Sequence, residues 1–179
     1  MTRACFRQWR HGGSECLPAA ADAGGGYRLL SIDPAGEAAH LSFGTGCDPA
    51  PVAPTAEFAL DLVQDSGVGV GKGGVVMLVA FAVPARLRDE VDRWYREEHV
   101  PLLMRAAGWH RARRFAVRAF EGAGPVYTSL AFHELADVSV LASPERERAR
   151  STPWRSRLRA DGDWFDAAGR WLYRTVAAG

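Results

Sequence analysis

Residues 94–115 read WYREEHVPLLMRAAGWHRARRF, and this stretch decides how the rest of the chain is parsed. An amphipathic helix arrives from Arg86 with Leu87, Val91, Trp94 and Tyr95 at helical spacing. Pro101 lacks an amide hydrogen and opposes helix at the residue before it, so His99 is expected at or just before the helix end. Leu102 to Ala107 makes one more apolar turn, Gly108 stops it, and Trp109 to Arg118 reads as a strand. Upstream, Val75 to Val83 is β-branched and apolar on both faces, as a buried central strand requires. Downstream, Val126 to Glu134 forms a third strand after the turn Glu121-Gly122-Ala123-Gly124-Pro125. Ser151-Thr152-Pro153-Trp154 opens a last helix by cap and proline, and Trp171 to Val176 closes as a fourth strand. The order β-α-β-β-α-β is the ferredoxin-like arrangement.

The same segment recurs in worn form near the N-terminus. Residues 9–32, WRHGGSECLPAAADAGGGYRLLSI, set Glu15-Cys16-Leu17-Pro18 on Glu98-His99-Val100-Pro101 and Gly25 on Gly108. Arg28 then falls on Arg111, Ile32 on Phe115, and Leu41-Ser42-Phe43 on Leu130-Ala131-Phe132, with Gly12-Gly13 as an insertion. The chain therefore reads as two copies of one α+β module. Residues 1–66 form a degenerate copy, 67–74 a glycine-rich linker and 75–179 a complete copy. In the first copy Tyr27 to Ile32 and Ala38 to Gly44 are expected strands, and Thr55 to Gln64 an expected helix. By this register its first strand would lie before Met1, leaving an unpaired sheet edge that a second chain would cover. A homodimer is the expectation that follows.

Bulk composition narrows the function classes. The chain has 179 residues and a formal net charge of +1, which gives no general case for nucleic acid or an acidic membrane. No apolar run approaches the roughly 18 residues of a membrane span, and the N-terminus lacks the apolar core of a secretory signal. Cys5, Cys16 and Cys47 have no metal-like spacing and read as reduced structural thiols, so a cytoplasmic location is expected. The segment 65–74 is glycine-rich but precedes a strand, which argues against a phosphate loop.

Trp94-Tyr95-x-x-Glu98-His99-Val100-Pro101, then Gly108-Trp109, Arg113-Arg114-Phe115 and Ser151-Thr152-Pro153-Trp154, resembles the dimeric α/β-barrel superfamily, especially its EthD-like members. The resemblance implies ferredoxin-like units whose sheets face each other around a cavity. It also implies a range of activities: cofactor-independent oxygenases of aromatic polyketides, muconolactone-type isomerases, decarboxylases, dehydratases and proteins without known activity. Fold alone does not choose among these.

Strand alternation supplies candidate pocket residues. Val126, Thr128, Leu130 and Phe132 are expected to face helices, as are Phe115 and Val117. Tyr127, Ser129, Ala131 and His133, with Ala112, Arg114 and Ala116, would then line the space between sheets. His99, with an ordinary pKa near 6.5, is the candidate proton-transfer residue, oriented by Glu98. Arg114 and Tyr127 are candidate donors to an enolate. Trp94, Tyr95, Trp109 and Trp154 offer an aromatic wall, and Ser129 and His133 polar contacts to substrate. The opposing reading makes His99 a helix cap and the aromatics core or interface. Arg105, Arg111, Arg113, Arg114 and Arg118 read as mostly solvated or ion-paired, and Glu145-Arg146-Glu147-Arg148 as a solvated surface or helix-entry segment. No metal site, no Ser-His-Asp arrangement and no cofactor are expected. Two readings stand: a cofactor-free lyase, isomerase or oxygenase of an aromatic or polyketide-like molecule, or a non-catalytic binding or scaffold protein of the same fold.

Overall fold

Eight segments carry either two-residue alternation or a short continuous apolar run, the two patterns of strands. In the computed structural model, which describes residues 2–9, 26–32, 38–43, 52–69, 74–123 and 125–176, all eight are strands. They are β1 (Arg3–Trp9), β2 (Tyr27–Ser31), β3 (Ala38–Phe43), β4 (Ala56–Gly67), β5 (Val75–Phe81), β6 (Trp109–Gly122), β7 (Ser129–Leu135) and β8 (Gly169–Val176). Two of them correct the sequence reading. Residues 56–67 form β4 and not a helix, because Phe58, Leu60 and Leu62 repeat every second residue, which suits a pleat and not a helical face. The first half also has its opening strand, β1, so no strand is lost ahead of it. The Glu15-Cys16-Leu17-Pro18 and Gly25 matches, and residues 70–73 of the glycine-rich segment, lie outside the described residues.

The strands close into one barrel in the order β1-β3-β2-β8-β5-β7-β6-β4. Within it the first half runs β4-β1-β3-β2 and the second β8-β5-β7-β6, the same order of fourth, first, third and second strand. β2 pairs with β8 and β4 with β6, all antiparallel, so each half closes the other's edges within a single chain. The unpaired edge expected from the sequence is therefore absent among the described residues, and with it the argument for a covering second chain.

The barrel interior is a continuous apolar core. Phe6, Leu29, Leu41, Phe58, Leu60, Val76, Leu78, Phe115, Leu130, Phe132 and Tyr173 pack there, all at 1 % exposure or less. Within β6 and β7 the alternation groups residues as the sequence suggested, but the two faces are exchanged, and Tyr127, ahead of β7, breaks the alternation and packs in the barrel. Phe115, Leu130 and Phe132 point into the barrel, while Ala112 and Ala131 pack with Val91, Trp94 and Tyr95 of the helical layer. Two sheets folded face to face leave a narrow space that large apolar side chains fill, so the polar residues are left for the helix side. One charged pair nevertheless sits inside: Arg113 meets Glu134 at 2.7 Å, with Tyr27 donating its hydroxyl to Glu134 at 3.1 Å.

Helices cover the outer face of the second half. They are α1 (Arg88–Trp94), α2 (Val100–Leu103), α3 (Pro144–Arg150) and α4 (Pro153–Ala160), and α3 falls on the segment whose sequence reads as solvated surface or helix entry. The helix does not end at His99. A π-helical turn over Tyr95–His99 links α1 to α2, with the Val100 amide bonded to the Tyr95 carbonyl. The wider turn accommodates the missing amide of Pro101 and lets the chain run on helically. Ser143 and Thr152 cap α3 and α4, each accepting from the amide three residues on. Gly108 matters for space: a Cβ there would lie 2.3 Å from Val140 Cγ2. Cys5 is disulfide-bonded, which corrects the expectation of reduced thiols and removes the argument for the cytoplasm; Cys16 and Cys47 lie outside the described residues. Among the described residues no helix is long and apolar enough to cross a membrane.

Candidate functional site

A cleft opens between the outer face of the β5–β7–β6 sheet and the helical layer. Its floor comes from alternate residues of β5, Met77, Val79 and Phe81, which face away from the barrel. Its walls are Trp94, Tyr95 and His99 from the π-helical region and Trp109 and His133 from the strands. Trp109 reaches this face because a bulge between Trp109 and Arg111 reverses the alternation of β6. The aromatic part holds a free volume of about 70 Å³ and opens into a mouth of about 380 Å³.

The two histidines are held in opposite tautomers. A carbonyl only accepts, so His99, which meets the Ala149 carbonyl at 3.2 Å, donates from Nδ1 and keeps a lone pair on Nε2. An indole only donates, so His133 accepts the Trp109 N–H at 3.3 Å on Nδ1 and carries its own proton on Nε2. Neither Nε2 has a partner among the described residues. Burial pushes both imidazoles down to about 3, helped for His99 by His133 and for His133 by Arg114. Both rings are therefore neutral near pH 7, one offering a base and the other a donor. The carbonyl bonded by His99 belongs to α3, so the ring ties two helices together and does not cap its own.

Aromatic packing fixes the base. Trp94 stacks on the His99 ring at 4.3 Å and 25°, and Tyr95 meets the same ring edge-on at 5.2 Å. Glu98 stands behind them: its Oε1 accepts from the Trp94 indole at 3.1 Å and from the Thr152 hydroxyl at 2.6 Å. That carboxylate thus orients Trp94 and anchors the start of α4, and it acts on His99 only through the indole. Burial lifts the Tyr95 hydroxyl to about 12, which keeps it protonated.

The remaining sequence candidates lie elsewhere. Arg114 does not project between the sheets. It lies beneath Tyr95, 4.1 Å from that ring, with Ser129 Oγ at 3.0 Å and Asp92 at 2.8 Å. Its guanidinium is committed to those partners, and Ser129 shares its position beside a second hollow near Val91 and Thr128. Tyr127 is on the other side of the sheet, in the barrel mouth with Phe58, Phe120 and Trp171. Trp154 donates to Glu90 at 3.1 Å on the outer helical surface. The cleft thus gathers Trp94, Tyr95, His99, Trp109 and His133 and leaves out Arg114, Tyr127, Glu98, Ser129 and Trp154.

Sequence reasoning missed the mouth. Arg146 and Arg150 on α3, Arg155 on α4 and Arg170 on β8 border both the cleft and its opening. The sequence places Arg146 in a solvated or helix-entry segment. The available signal was spacing: Arg146 and Arg150 are four apart, as are Arg155 and Arg159, which aligns each pair on one helix face.

No family model and no curated protein matches the sequence. The structure, however, aligns end to end with solved ones. An anthrone oxidase-like protein matches with a TM-score of 0.67 at 12 % identity, over 99 % of this chain and 94 % of that one. A ferredoxin-fold protein of Listeria monocytogenes related to antibiotic biosynthesis monooxygenases matches at 0.64 and 13 %, over 99 % and 95 %. A heme-degrading enzyme of Listeria monocytogenes matches at 0.60 and 12 %, over 96 % and 98 %. At such identities the likeness is one of fold, and in fold this chain is an α+β protein of ferredoxin type, with eight strands closed into a barrel.

Proposed function

We propose that the chain is an enzyme that moves a proton on a small aromatic or polyketide-like molecule in the cleft between sheet and helices. The observation that carries this reading is the pairing of His99 Nε2, a bare lone pair, with His133 Nε2–H, a donor, in one aromatic cleft. An acidic C–H or phenolic O–H gives its proton to His99 Nε2. The enolate or phenolate oxygen that results accepts from His133 Nε2–H, in the manner of an oxyanion site. Trp94, Tyr95 and Trp109 line the cleft and give the substrate an aromatic wall. This step is common to isomerase, lyase and oxygenase chemistry and requires no cofactor of its own. The likeness to anthrone oxidase-like and monooxygenase-related proteins favours the oxygenase branch. There an activated methylene plus O2 gives a carbonyl plus water, with O2 as the oxidant.

A base whose conjugate acid lies at about 3 is weak in the empty cleft, and this favours the second reading, a binding protein without turnover. Hydrogen–deuterium exchange separates the two. Anthrone and a phenolic β-dicarbonyl, followed by NMR in deuterated buffer, should exchange their acidic C–H faster with the protein. His99→Gln should remove that acceleration, worth about 10²–10⁴-fold for a positioned base, while the melting temperature and ligand affinity stay close to wild type. Binding without exchange, or exchange indifferent to His99→Gln, refutes the enzyme reading.

A further inference from the structure

The mouth of the cleft gathers five arginines, Arg146, Arg150, Arg155, Arg159 and Arg170, around one carboxylate, Asp166. Arg146 and Arg155 are half-buried, Arg150 and Arg170 exposed, and among the described residues none of the four has a carboxylate partner. Arg159 alone in this group is paired, with Asp166 at 3.0 Å. Elsewhere the chain's buried arginines are matched, Arg113 by Glu134 and Arg114 by Asp92.

Three of these four side chains, Arg146, Arg155 and Arg170, are also held in place. Arg146 donates to the Leu141 carbonyl. Arg155 donates to the Arg150 carbonyl at 2.9 Å and lies 4.8 Å over the Phe165 ring. Arg170 bonds the Ala168 carbonyl at 3.1 Å and the Phe165 carbonyl at 3.4 Å. Each such bond uses part of a guanidinium that carries five donors, so further N–H groups remain for a ligand. Burial, and then the neighbouring Arg150, lower Arg146 and Arg155 below the ordinary arginine value. Like charges crowded together in a partly dry mouth are stabilised by an anion.

We infer that the cleft takes an aromatic carboxylate, its ring against Trp94, Tyr95 and Trp109 and its carboxylate held by the arginine mouth. A planar guanidinium fork matches a carboxylate through two parallel hydrogen bonds, and the same arginines line the cleft with the aromatic walls. An anion at that place also raises the basicity of His99, which is depressed in part by Arg155 and Arg114. The acid group thus serves recognition and also prepares the base. The inference rests on the small-molecule reading of the cleft given above.

Calorimetric titration tests it with benzoate and 2-naphthoate against benzyl alcohol and 2-naphthalenemethanol, and with inorganic phosphate as the anion lacking a ring. The carboxylates should bind at least about tenfold more tightly than the alcohols, and phosphate more weakly than either carboxylate. Arg150→Gln/Arg170→Gln, both exposed positions, should abolish the preference and leave the alcohols unchanged. Equal binding of acids and alcohols overturns the inference while the small-molecule reading survives. Phosphate binding as tight as benzoate overturns the aromatic part and leaves a bare anion site. If none of the four aromatic probes binds, the small-molecule reading fails with it.

Discussion

Acidification offers a quantitative test of how the cleft histidines are buried. His133 is 1 % exposed and its imidazole is pushed down from 6.5 to about 3 by burial and the nearby Arg114. Its folded pKa lies below its unfolded one, so the stability it contributes is present above about pH 6.5. That contribution is lost as the pH falls toward 3, because only the unfolded chain takes up the proton readily. Between pH 7 and pH 4 the linkage amounts to about 3 kcal/mol for this one group, as an upper bound. His133→Asn keeps an oxygen to accept from the Trp109 indole and removes the titration. Urea unfolding followed by tryptophan fluorescence at the two pH values should show wild type losing about 3 kcal/mol more than the variant. Carboxylates titrate in both proteins and cancel in the difference. His99, likewise pushed down to about 3, adds a loss of the same sign to both proteins and cancels in the difference. Parallel pH dependence of wild type and variant would refute a neutral, desolvated His133.

Two further outcomes concern the frame that holds the site. Glu134→Gln leaves the Arg113 guanidinium inside the barrel without its counter-charge and should cost about 3–5 kcal/mol in denaturant titration. The double change Arg113→Met/Glu134→Leu should recover most of that loss, and failure to recover it would mean that Tyr27 and its neighbours depend on the pair itself. Gly108→Ala places a methyl 2.3 Å from Val140 Cγ2 and should cost about 1–3 kcal/mol in thermal unfolding, whereas Gly108→Ala with Val140→Ala should be close to neutral.

Much of the second half is legible in local sequence. Continuous β-branched residues make β5 a buried strand, Thr152-Pro153 starts α4, and period-two patterning sorts β6 and β7 into two faces. Pattern says which residues share a face, but not what that face meets. Only closure of the barrel decided that Phe115, Leu130 and Phe132 point inward and that Ala131 and His133 turn to the helices. Tyr127, ahead of β7, breaks the alternation and lies in the barrel, apart from His99, to which sequence reasoning had joined it. Local propensity also misjudged residues 56–67, because an apolar segment takes its form from the partners that pair with it, here β1 and β6.

What the sequence by itself determined is the set of chemically able residues and the order of the second half's elements, since both follow from residue type and from interactions a few positions long. What only the tertiary structure decided is their grouping. The opposed tautomers of His99 and His133 depend on a carbonyl in α3 and an indole in β6, 50 and 24 residues away in the chain. The arginine mouth assembles α3, α4 and β8. Contacts between distant segments follow from packing and barrel closure, which local spacing does not encode.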